Sequence, residues 1–171
     1  MHIFLSLGND NKLNSVVVFG SFSSWNQKSK KEVAARPTTE ARGATPLLAE
    51  ETGPGGFSLL TEQGFQLISD EAISRWLVAT DNDPEVKAIL DDLFFTVSNL
   101  GGKTLAQTFN GDIRIDDDAA GNGWFLDGTP QSDDEFTEAG LGIRLQAGST
   151  SPAVDRYDLL TVIMQEIGHV L

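Results

Sequence analysis

Asn110-Gly111 stands between two short runs, Leu105–Phe109 and Asp112–Asp116. A two-residue loop of this kind needs positive φ at both positions. Asn followed by Gly adopts it at little steric cost, and its twist matches that of paired strands. Ile113, Arg114 and Ile115 alternate apolar and polar, so the hairpin has one face to bury. Two strands alone cannot bury it, and the rest of the chain must supply the cover. Phe65, Ile68, Ala72, Ile73 and Trp76 recur at the spacing of one helical face, while Glu62, Asp70, Glu71 and Arg75 fall off it. That pattern predicts an amphipathic helix over 61–79. Asp83-Pro84 opens a second helix, with Asp as N-cap, Pro in the first turn, and Val86, Ile89, Leu90 and Leu93 on the buried face. Phe94–Leu100 is rich in aromatic and β-branched residues, ends at Gly101-Gly102 and predicts a strand, and Ile143–Gln146 predicts a shorter one. Ala119–Glu138 is a long loop around Trp124 and Phe125, and these two with Trp76 are expected as core or loop anchors. Tyr157–Leu171, apolar at Leu159, Leu160, Val162, Ile163, Ile167 and Val170, predicts a largely buried helix. The expected class is α+β: a mixed β-sheet, a long packed helix and a C-terminal helix.

Charge divides the chain near residue 50. Residues 1–50 carry six Lys/Arg and four Asp/Glu, whereas residues 51–171 carry six and 21. We take 1–50 as an unassigned leader and linker and 51–171 as the domain. A formal charge of −13 repels phosphate backbones and anionic lipid, so neither a nucleic acid nor an anionic membrane is expected as partner. With no cysteine there is no disulfide scaffold and no Cys-ligated zinc or iron–sulfur site. In the leader, Ile3–Leu7 and Val16–Phe19 are apolar runs split by Gly8–Lys12, a pattern open to a hairpin. Neither run reaches the roughly 7–15 apolar residues of a signal peptide, and no segment approaches the ~20 of a membrane span, so no membrane insertion is expected. Gln27–Pro46 has the composition of an extended linker, and Gly53-Pro54-Gly55-Gly56 punctuates the start of the acidic body. His2 receives no role.

The chemistry-bearing stretch is the last one. Residues four apart on a helix share a face, so Gln165 and His169 converge while Glu166 stands beside them. With histidine at both positions this would be the H-E-x-x-H zinc helix, two imidazole ligands with a carboxylate to deprotonate the metal-bound water. Taken alone, Glu166 and His169 read as a surface Glu and a His favoured by the helix C-terminal dipole. The acidic residues Asp112, Asp116, Asp117, Asp118, Asp127, Asp133, Asp134 and Glu135 could hold calcium, which prefers several oxygen ligands, but Asp116–Gly121 lacks the alternate spacing of an EF-hand and reads as a solvated loop. No G-x-S-x-G elbow supports a serine hydrolase.

The segment Asp158–Leu171 resembles the zinc helix of matrixin-like metallopeptidases of the metzincin group, H-E-x-G-H-x-x-G-x-x-H, at Glu166, Gly168 and His169. Further landmarks occur in the order found in zinc-peptidase-like domains of large bacterial surface or secreted proteins. They are Ala72–Trp76 (Ala-x-x-Arg-Trp), Ala119–Phe125 (Ala-Ala-Gly-x-Gly-Trp-Phe), Thr129-Pro130 and Asp134-Glu135-Phe136. The likeness spans roughly 57–171. It implies a zincin-like α+β fold, a zinc metalloendopeptidase activity, an extracellular or cell-surface location, membership of a larger multidomain protein and a peptide or protein substrate. By resemblance Glu166 is the general base, His169 a zinc ligand, and position 165 another zinc ligand.

The 105–118 stretch is similar to the matrixin hairpin that carries a structural zinc and a calcium. Gln107 and Arg114 stand at its two histidine positions, which removes the structural zinc from the expectation. Asp116 matches a calcium-ligand position, and Ala119 replaces its acidic partner. Gln165 replaces the first zinc histidine with a neutral amide, a poorer ligand than imidazole. The sequence stops at Leu171, before the family's next glycine, third histidine and methionine turn, so the C-terminal subdomain is expected to be missing. The expectation is a peptidase-like domain with little or no activity as it stands. The alternative is a non-catalytic acidic module, calcium-binding, that serves adhesion or assembly in a larger surface protein.

Overall fold

In chain order the elements are β1 (Ser6–Leu7), β2 (Leu13–Asn14), β3 (Val16–Val17), β4 (Leu47–Leu48), α1 (Glu62–Ala79), α2 (Pro84–Asp91) and β5 (Phe94–Val97). They continue with β6 (Thr104–Phe109), β7 (Asp112–Ile115), β8 (Trp124–Phe125), β9 (Phe136–Glu138), β10 (Leu145–Ala147), β11 (Tyr157–Asp158) and α3 (Leu159–Val170). The structure, a computed structural model, describes residues 45–138 and 145–171, together with the backbone of β1, β2 and β3.

The Asn-Gly hairpin is the hub. Asn110 and Gly111 have φ of 54° and 88°, and β6 and β7 pair antiparallel from Phe109↔Asp112 to Ala106↔Ile115. β5 joins β7 in parallel and β4 joins β6 antiparallel, which gives a mixed four-stranded sheet in the order β4-β6-β7-β5. Leu105, Ala106, Ile113 and Ile115 are fully buried in it. The cover comes from two helices. α1 presents Ile68, Ala72 and Trp76, and α3 presents Leu159, Ile163 and Ile167 to the same core. Burying one such aliphatic side chain contributes about 1.5–3 kcal/mol. Trp76 Nε1 donates to Met164 O at 3.1 Å, which joins the two helices. Gly168 gives the indole its room, since a Cβ there would meet Trp76 Cζ2 at 3.2 Å.

Each helix starts where a side chain satisfies its first free amides. Thr61 accepts from Gly64 N, Asp83 from Glu85 N and Val86 N, and Asp158 from Thr161 N. α+β class, both upstream helices and the hairpin thus follow the sequence pattern. Three details differ. β5 stops at Val97, because Leu100 N turns away to donate to Asp116 Oδ1 at 2.7 Å. The 119–138 loop carries two short strands: β8 pairs in parallel with the distant β11, and β9 pairs antiparallel with β10, the next strand along the chain. In the leader, β1 pairs with β2, whereas β3 pairs with β10. The other leader positions, including His2 and 18–44, lie outside the described residues. N-terminal to the charge boundary, Leu47 and Leu48 belong to the sheet and Ala49 is buried in the core. Among the described residues no helix is long and apolar enough to cross a membrane.

Candidate functional site

α3 lies against β6, and the first two turns of the helix are apolar on every packed side. Glu166 sits on this packed face and is fully buried, Gln165 beside it is half-buried, and His169 in the last turn is exposed. Thr108, buried on β6, donates its hydroxyl proton to Glu166 Oε2 at 2.7 Å. The other carboxylate oxygen, Oε1, is buried and has no hydrogen-bond partner. A charged oxygen in that position lacks both water and a donor, and such a group is driven toward its neutral form. Burial therefore pushes the Glu166 carboxyl up from its ordinary value, against the Thr108 hydrogen bond and the nearby His169 charge, which pull it down. The neutral form of Glu166 is thus favoured relative to that of an exposed glutamate, and Oε1 is the oxygen without a partner. His169 is close enough to act on it electrostatically.

Among the described residues, the donors on and beside α3 fall short of the usual set for a catalytic zinc. Three protein ligands are the norm for a catalytic zinc. The helix offers one imidazole, His169, and one amide, Gln165. Glu166 is turned inward and committed through Oε2 to Thr108. On the hairpin, Gln107 and Arg114 are direct cross-strand partners, an amide opposite a guanidinium, and neither is an effective zinc ligand.

Asp116 is not part of this helix site. It follows β7, and Asp116 N donates to Leu105 O, three residues along β6 from Thr108, or about 10 Å. It is 2% exposed, and its carboxylate organises the turn that follows. Oδ1 accepts from Leu100 N at 2.7 Å, and Oδ2 accepts from Ala120 N at 2.7 Å and from Asp118 N at 3.3 Å. Asp118 Oδ1 accepts from Gly121 N at 2.8 Å. Under these bonds Ala119, Ala120 and Gly121 all take positive φ, at 57°, 55° and 81°. Carboxylate oxygens of Asp116, Asp117 and Asp118 lie within 4.8 Å of one another, close enough to hold a metal ion, and Asp117 Oδ1 is buried without a partner. Burial first, then the charges of Asp116 and Asp118, push the Asp117 carboxyl up. Three of the cluster's six carboxylate oxygens, both of Asp116 and one of Asp118, accept the backbone amides that shape the turn.

Sequence reasoning did not single out Thr108 or the pair Asp127 and Asp158. Thr108 carried a signal: Ala106 and Thr108 share one face of β6, so a hydroxyl stood on a face that had to be covered. Asp127 and Asp158 are 4% and 7% exposed, and Asp116, at 2%, departs from the solvated-loop reading of 116–121. Their proximity depends on the β8–β11 pairing, which brings Phe125 opposite Asp158. A cavity of about 370 Å³ opens elsewhere, between 50–57 and 155–157, walled by Glu50, Glu51, Phe57, Arg156 and Tyr157, and none of Gln165, Glu166 and His169 lines it. Comparison with family models, with curated proteins and with solved structures finds no match to this chain.

Proposed function

We propose that this chain is a matrixin-like metallopeptidase domain whose zinc helix no longer assembles a catalytic zinc, so that it retains the scaffold of a peptidase with little or no hydrolytic activity. The observation that carries the reading is Glu166: a fully buried glutamate on the helix beside His169, with one oxygen held by Thr108 and the other unpartnered. Stability does not ask for a half-satisfied carboxylate in a core, where a buried unmatched acceptor is costly. A proton-transfer role in the ancestral site accounts for it. Gln165 at the other ligand position accounts for the loss. A peptide or protein as ligand, and an extracellular setting within a larger protein, belong to the same reading.

The test is zinc per mole of the purified, dialysed chain by elemental analysis, with hydrolysis of a quenched fluorescent peptide library alongside. The expected ratio is near zero, with no cleavage above background. A ratio near one that falls when His169→Ala is introduced would overturn the loss of the site.

A second reading, a non-catalytic acidic module that binds calcium for adhesion or assembly, draws on the Asp116–Asp118 cluster and the unpartnered Asp117 Oδ1. Calcium takes 6–8 oxygen ligands, and three of the six carboxylate oxygens here already accept backbone amides. The readings separate in one melting experiment. Calcium-dependent stabilisation that Asp117→Asn abolishes favours the module, and a melting temperature indifferent to calcium removes it.

A further inference from the structure

Asn-Gly occurs twice in this chain, at Asn110-Gly111 and at Asn122-Gly123. The dipeptide carries a reaction of its own: the glycine nitrogen can attack the asparagine side-chain carbonyl, because no Cβ on the glycine blocks the approach. The two copies have opposite surroundings. Asn110 is exposed at the tip of the β6–β7 hairpin, and a Cβ on Gly111 would meet nothing within 4 Å. Among the described residues no hydrogen bond holds the Asn110 side chain or Gly111 N. Asn122 is half-buried, and its Nδ2 donates to Ala119 O at 3.0 Å, to Glu51 O at 3.1 Å and to Ala120 O at 3.4 Å. Gly123 is buried and its N donates to Asp118 O at 2.8 Å. It lies so close under Phe57 that a Cβ would meet the ring Cγ at 2.7 Å.

Closure ties the glycine nitrogen to the asparagine Cγ in a five-membered ring, so the asparagine must first rotate out of its folded conformation. At Asn110, where φ is 54°, that rotation distorts a two-residue loop and breaks no side-chain hydrogen bond. At Asn122 it breaks the Nδ2 bonds and the Gly123 N bond together and pulls the glycine from under Phe57. Local opening of this kind costs most where bonds and packing are lost together. We propose that Asn110 is a site of spontaneous, non-enzymatic modification, deamidation through a cyclic imide, and that the fold shields Asn122 from the same reaction.

The only co-reactants are solvent base and water, and nothing is oxidised or reduced. Gly111 N gives up its proton and bonds to Asn110 Cγ, the Cγ–Nδ2 bond breaks, and the amide nitrogen leaves as ammonia after taking a proton. Water then opens the imide. Cleavage at the former side-chain carbonyl leaves an aspartate, and Asp-Gly suits the same two-residue loop. Cleavage at the main-chain carbonyl leaves the β-linked isomer, whose main chain is one methylene longer between Phe109 and Asp112, the pair that closes the hairpin. Either product places a new negative charge beside Asp112.

The test is a time course of the full chain in mildly alkaline buffer, read by peptide mass spectrometry that separates the amide, the aspartate and its β-linked isomer at each site. Two or more hydrogen bonds must break at Asn122 and none at the Asn110 side chain, so conversion at Asn110 should be faster on the order of tenfold or more. In denaturing urea both Asn-Gly pairs lose their folded surroundings, and the two rates should converge. Equal rates in the folded chain would overturn the proposal, as would faster conversion at Asn122. A preference for Asn110 that persists undiminished in urea would overturn it as well, because the selectivity would then belong to the neighbouring sequence and not to the fold.

Discussion

Asp116 and Glu166 are both buried carboxylates next to β6, yet they do opposite things with their oxygens. Asp116 spends both on backbone amides, three of them, and shapes the turn that leads to Trp124, whose Nε1 also donates to Asp116 O at 2.8 Å. Glu166 satisfies one oxygen and leaves the other empty-handed in a closed space. Burial alone therefore does not tell these two acids apart. The separating quantity is acceptor capacity left over after folding, because only an unspent lone pair is free to take a proton or a ligand.

The largest consequence should appear at Asp116. In Asp116→Ala the amides of Leu100, Ala120 and Asp118 lose their acceptor together, and charge-assisted bonds of this kind contribute about 1.5–3 kcal/mol each. We expect a loss of about 3 kcal/mol or more in urea unfolding, discounted from the sum because the turn relaxes. A loss below about 1 kcal/mol would show that water replaces the carboxylate, and the contrast with Glu166 would break.

A smaller, pH-dependent effect is expected at Glu166. Its carboxyl is held above the ordinary 4.5, so the folded state gains stability as pH falls toward that value and loses it as pH rises through the raised one. Glu166→Gln should lose less stability than the wild type when pH is raised from 5 to 8. Thr108→Val removes the bond that favours the ionised form and should cost about 1–2 kcal/mol at pH 8 and less at pH 5. Melting temperatures of the three proteins across that range provide the check. Equal slopes in all three would mean that Glu166 keeps its charge unaided, through contacts other than Thr108.

The same contrast explains what could be read from the chain. The hairpin at Asn110-Gly111, the helix stripe from Phe65 to Trp76 and the Asp83-Pro84 start are local signals, written within a few residues of the structure they specify, and they appear where expected. Glu166 and His169 stood out because their spacing on a helix is equally local. Glu166's leftover oxygen was not legible, since it depends on where Thr108 falls, 58 residues earlier in the chain. Asp116 was marked for a metal by likeness. Its three amide donors come from Leu100, Asp118 and Ala120, and only folding brings Leu100 to it. Asp127 and Asp158 met through a two-residue parallel pairing, and no local periodicity announces such a contact.

The smallest effect tests what the Asp116 bonds hold in place. Ala120 sits at φ 55°, a left-handed conformation that costs a side-chain-bearing residue roughly 1–2 kcal/mol and glycine almost nothing. Ala120→Gly should therefore stabilise the protein, less the chain entropy of glycine and the half-buried methyl given up, for a net gain of about 0.5 kcal/mol. The gain should depend on Asp116. With the carboxylate present, the bond from Ala120 N pins the residue at positive φ, so removing the strain is felt in full. In an Asp116→Ala background the turn is free to leave that conformation, and the glycine should bring little. Non-additivity in this double-mutant cycle would mean that Asp116 is the clamp on a strained turn. Additive values would mean that the 117–123 segment takes its shape from its packing around Trp124, and that the carboxylate merely satisfies amides already in position.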